Sequence, residues 1–135
     1  RTWKSIEFNC LYDGMLYAVY ISLGFAVLEN ISYSIGYGWG TALIRAVTAV
    51  PGHACFGVFM GAFYGFAKQY ERMGRMDLSR RYRKFAVVVS AFIHGCYDLI
   101  LSVELPTIAF YTYTIAMFVL AFRLLRKMSD MDRYI

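Results

Sequence analysis

Four side chains within the apolar stretches of this chain have the types and spacing for chemistry: Glu29, His53, His94 and Asp98. A carboxylate can take a proton from water or ligate a cation, and an imidazole can do either or donate to an oxyanion. His94 and Asp98 stand at i, i+4, so the carboxylate can orient the imidazole. Ser90, His94, Asp98 and Ser102 recur at that interval and form one polar stripe on a helix. His53, Gly57, Gly61 and Gly65 recur likewise, and their tandem G-x-x-x-G lets a second backbone approach closely. This spacing points His53 into a helix–helix seam. Ala18, Ser22 and Ala26 make a small-residue face, with Glu29 and Asn30 at its outer end. Each feature has a plainer reading. A lone intramembrane histidine can bond a backbone carbonyl, H-x-x-x-D can neutralise itself, a glycine run can be packing alone, and Glu29 can be a neutral acid capped by Asn or Ser.

The elements that must position these groups are membrane spans. Of 135 residues, 59% are hydrophobic and only 17% charged, against roughly 45–50% and 25% in soluble domains. A soluble domain this small could not hide that excess. Four apolar runs fit a span of ~20 residues: residues 14–35, 46–67, 85–103 and 105–122. The reading is therefore all-α, a polytopic bundle of about four transmembrane helices forming a single domain. Residues 37–40, YGWG, combine turn glycines with interfacial aromatics, and Pro51 is expected to kink or restart the second helix.

All of the 14 Lys and Arg residues except Arg45 fall on one side of that four-span arrangement. They include Arg1 and Lys4, the seven cations of the 68–84 loop, and Arg123, Arg126, Lys127 and Arg133 of the tail. The positive-inside rule makes that side, and both termini, cytoplasmic, with 68–84 a solvated, topology-setting loop. The net charge of +5 is thus a matter of topology rather than of nucleic-acid binding. Cys10, Cys55 and Cys96 are odd in number and widely spaced, and read as small buried hydrophobes.

Depth brings the four ionisable groups together. At 1.5 Å per helical residue, Glu29 lies roughly 24 Å from the cytoplasmic anchor Asp13, and His53 roughly 22 Å from Lys68. Asp98 lies roughly 21 Å, and His94 roughly 15 Å, from Lys84 by the same rise. Three antiparallel helices thus carry them to similar levels in the outer half of the bilayer.

These segments resemble a known family. GFAVLEN at 24–30, PGHACFGVFMGAFYGFA at 51–67 and HGCYD at 94–98 look like three motifs of the PrsW family of intramembrane proteases, relatives of the CAAX-processing and bacteriocin-immunity membrane proteases. The resemblance implies a peptidase of the bacterial plasma membrane that makes the first, site-1 cut in a membrane-anchored anti-sigma factor, on its extracytoplasmic side. By motif, Phe25 and Glu29 correspond to the family's F-x-x-x-E element, His53 to its middle histidine, and His94 with Asp98 to its H-x-x-x-D element. The family's Glu-Glu-x-x-Lys motif is missing, since no two acidic residues are adjacent here. The segment therefore reads as part of a larger membrane domain, with Arg1 to Asp13 as a cytoplasmic linker after another span.

Two mechanisms fit these residues. In one, His53, His94 and Asp98 or Glu29 hold a divalent ion such as Zn²⁺ that activates water and polarises the scissile carbonyl. In the other, a carboxylate, Glu29 or one of the missing pair, takes the proton from water while the histidines and Asn30, with Ser90 as further polar support, stabilise the oxyanion. There is no H-E-x-x-H to favour zinc. Rival readings outside proteolysis are a haem clamped between His53 and His94, or a metal-binding or proton-conducting cluster.

Overall fold

The computed structural model describes residues 2–103 and 106–132; Arg1, Leu105 and Arg133, used above for span and charge assignments, lie outside the described residues. A short 3₁₀ turn, Thr2–Lys4, is followed by four α-helices: α1 Leu11–Tyr37, α2 Trp39–Arg72, α3 Met76–Ser102 and α4 Thr107–Asp130. All four are long and apolar enough to cross a membrane. The chain is a multi-pass membrane protein.

The helices run well past the apolar runs. α2 begins at Trp39 rather than near 46 and continues to Arg72 without restarting at Pro51. The expected 68–84 loop is largely helix, because α2 and α3 extend into it and only residues 73–75 separate them. Polar residues at helix ends keep the helical ladder once the nucleus exists, so apolar length underestimates helix length. The turn between α2 and α3 uses Gly74 at φ +75°, with the Arg75 amide donating to the Tyr70 carbonyl (2.9 Å) and the Gly74 amide to that of Glu71 (2.9 Å). That is the Schellman closure, which needs a left-handed residue. At the α1–α2 turn, Gly38 alone (φ +85°) does the work expected of YGWG.

The cations of this end are not simply solvated. Lys68 donates to the Trp3 carbonyl (2.9 Å) and to Glu71 (3.1 Å), and Arg72 to the Phe8 carbonyl (3.1 Å). They strap the N-terminal segment over the bundle end, where Phe8 is fully buried against Tyr64. The Tyr12 amide also donates to Asp132 at 3.1 Å, so the start of α1 meets the end of α4.

The glycine stripe of α2 sets the register of the bundle. A Cβ on Gly57 would lie 2.6 Å from Val19 Cα, one on Gly65 would lie 2.5 Å from the Leu11 carbonyl oxygen, and one on Gly61 would overlap Met15 Cα. Backbone therefore touches backbone along α1 and α2. α3 packs mainly on α2, and α4 on α2 and α3, with Tyr113 donating to the Ile93 carbonyl at 2.6 Å. α2 is the shared central element.

Candidate metal centre

The α2 positions facing α1 continue outward from the glycines as His53, Ala49 and Arg45, at the same four-residue interval. Glu29 of α1 falls between the two polar ends of that run. Its Oε2 accepts from His53 Nε2 (3.0 Å) and from Arg45 Nη2 (2.7 Å). Ala49, buried and short, leaves room for both to reach the carboxylate. Ser22, on the small-residue face of α1, donates to the His53 carbonyl at 2.6 Å, pinning the helix at the functional residue.

His94 enters from α3. Its ring lies 4.8 Å from that of His53, centroid to centroid, and stacks on Phe56 at 5.0 Å with 24° between planes. Phe25 covers both imidazoles, at 5.7 Å from His53 and 6.1 Å from His94. One ligand-capable atom from each of Glu29, His53 and His94 lies within 4.8 Å of the other two. Two imidazoles and one carboxylate suit a Zn²⁺-type ion, and three protein ligands leave a coordination position for water or substrate. The donor set fits a divalent metal.

Three sequence expectations change. Asp98 does not join the group: it lies beyond His94, its Oδ2 3.3 Å from His94 Nε2, with a side chain 56% exposed. The stripe leaves the bundle as α3 rises, since Ser90 is buried and Asp98 exposed, so a carboxylate one turn above His94 has left the seam. Asn30 faces elsewhere, donating to the Ala42 carbonyl at 3.2 Å, and so holds the α1–α2 hairpin rather than an oxyanion. Ser90 does line the site, but its hydroxyl donates to the Phe56 carbonyl at 3.1 Å. Gly57, Gly61 and Gly65 each lie against the backbone of α1.

Arg45 and Phe56 were not foreseen as part of the site. Arg45 had a signal in its isolation, as the sole cation outside the cytoplasmic set, inside an otherwise apolar run. Phe56 had none, for an aromatic in an apolar helix is unremarkable before its neighbours are known.

A cleft of about 240 Å³ opens onto the two histidines between α1 and α3, with α2 as its floor. Ile21 and Phe25 form one wall, Val87, Ala91 and His94 the other, and Phe56 and Met60 lie below.

A bundle of apolar helices with a Glu-His-His donor set and an apolar cleft belongs to the class of polytopic membrane proteins built around an intramembrane polar centre. The match to known proteins is specific: residues 1–124 match the model of the PrsW family intramembrane metalloproteases, and the chain belongs to that family. It is 43% identical to Protease PrsW of Halalkalibacterium halodurans over 103 residues, covering 73% of this chain and 44% of that protein. It is 41% identical to Protease PrsW of Bacillus subtilis over 96 residues, 71% of this chain and 42% of the relative. For Protease PrsW of Geobacillus kaustophilus the figures are 43% identity, 70% of this chain and 40% of the relative. The chain thus spans under half the length of these relatives. No solved structure matches it.

Proposed function

We infer that this chain supplies the Glu29–His53–His94 centre of a metal-dependent intramembrane peptidase. The substrate is a membrane-anchored protein of the anti-sigma factor type, cut near the extracytoplasmic face. The observation that carries this reading is the convergence of three ligand-capable atoms, from three helices, within 4.8 Å. The substrate class rests on the family motifs, and the position of the cut on the depth of the three residues. With eleven cations toward one end and Arg45 toward the other among the described residues, the positive-inside rule favours cytoplasmic termini in the bacterial plasma membrane.

Glu29, His53 and His94 would hold the ion. When bound, it supplies Lewis acidity for the scissile carbonyl and for the attacking water. Asp98 Oδ2 lies 3.3 Å from His94 Nε2, and a carboxylate there would orient the ring and leave Nδ1 as the ligand. Phe25 and Phe56 pack against the imidazoles, limiting their motion and excluding lipid from the polar atoms. The cleft walls are apolar, so a peptide reaching the centre keeps its side chains in hydrocarbon. Its scissile peptide group must leave its own helix to be attacked. Glu29 Oε2 already accepts two hydrogen bonds, which suits a fixed ligand better than a proton-shuttling base. A haem between the histidines is disfavoured, because their rings lie 4.8 Å apart at 74° without a gap for a macrocycle.

The test is zinc binding by the complete protein in detergent, with cleavage of a single-span membrane substrate followed before and after chelation. Tight zinc binding and loss of cleavage on chelation, restored by zinc, are expected. Full cleavage by metal-free protein overturns the reading.

A further inference from the structure

The geometry points to Arg45 as a positioning residue of the centre: its guanidinium, laid on Tyr33, holds the Glu29 carboxylate against His53. Arginine within a membrane span is unfavourable unless its charge is matched. Among the described residues, the ion-pair partner of Arg45 is Glu29, and its side chain is only 16% exposed. The guanidinium carbon sits 3.7 Å from the Tyr33 ring centroid. Glu29, Tyr33 and Tyr37 follow one another at helical-turn spacing on α1, and the two tyrosine rings stack at 5.6 Å. The guanidinium therefore sits over an aromatic ring while donating to Glu29, a pairing of planar cation and ring that an ammonium does not copy. Arg45 and His53 grip the same carboxylate oxygen from either side of Ala49. The other oxygen of Glu29 is thereby left for a cation, and the carboxylate cannot swing toward lipid. The consequence for metal affinity rests on the metal reading above, whereas the contact itself does not.

The test uses the full chain purified in detergent and stripped of metal. Proton NMR should show a downfield imidazole N–H resonance from the His53–Glu29 bond, assigned by its loss in His53→Ala. The resonance should vanish in Arg45→Gln, persist in Arg45→Lys with reduced protection, and be untouched in Lys68→Gln, which breaks a remote ion pair on the same helix. If Arg45→Gln does not fold by circular dichroism, Tyr33→Leu makes the same test by removing the aromatic ring, and the resonance should broaden or vanish. Zinc affinity should fall about 10- to 100-fold in the variant that loses the resonance. A resonance absent from the parent protein, or unchanged without Arg45 or Tyr33, overturns the assignment, as does zinc binding that is equal or tighter. A parent protein that binds no zinc refutes the metal reading instead, while the resonance still decides the role of Arg45.

Discussion

At the scale of single residues, the site divides into groups that can touch a ligand and groups that aim them. Glu29, His53 and His94 supply the converging atoms. Glu29→Gln, His53→Ala and His94→Ala, tested singly, should each abolish stoichiometric zinc binding and cleavage, read by metal analysis and a substrate gel. Asp98→Asn keeps the shape but loses the charge behind His94, and should weaken zinc binding about 10- to 100-fold rather than abolish it. A loss as large as that of His94→Ala would mean that Asp98 is itself a ligand. The three converging residues are all among the four ionisable candidates of the sequence, but depth does not separate them from Asp98, whose estimated level is nearer to those of Glu29 and His53 than the level of His94 is. Depth says nothing of azimuth. Asp98 sits one turn beyond His94, where α3 has already turned away from the seam, and Asn30, next to Glu29, points 100° or so around the helix.

At the scale of elements, the α1–α2 seam positions the site, and its glycines set how closely the helices pack. A Cβ at Gly61 would collide with Met15 Cα, whereas one at Gly24, an exposed position, meets nothing within 4 Å. Gly61→Ala should therefore destabilise the bundle by about 1–3 kcal/mol, the usual range for overpacking. Gly24→Ala should stay within about 0.5 kcal/mol of the parent. Unfolding in mixed detergent micelles measures both. Ser22→Ala removes the buried bond to the His53 carbonyl and should be unfavourable by about 0.5–1.5 kcal/mol, with weaker zinc binding because the helix shifts beneath His53. Four spans and the glycine seam were visible in the apolar pattern. The helix ends were not, because Lys68, Arg72, Arg80 and Arg83 lie in helices that outrun the hydrocarbon-length segments. At Pro51, α2 continues without a restart, its packing on α1, α3 and α4 outweighing the lost hydrogen bond.

At the scale of the whole molecule, the four described spans bring the start of α1 and the end of α4 to the same side, and the Tyr12–Asp132 bond joins them directly. Reporters fused at the N-terminal segment, the 73–75 turn and the C-terminal tail should all read cytoplasmic, and one inserted at Gly38 extracytoplasmic. The reverse pattern would place the centre in the inner half of the bilayer and remove the basis for an extracytoplasmic cut. The most direct test of the central claim is the metal content of the complete protein, measured by plasma emission spectroscopy after purification and again after His53→Ala. One divalent ion per chain, lost in the variant together with cleavage, is the predicted result. A parent protein that cleaves its membrane substrate at full rate with no bound metal would contradict it.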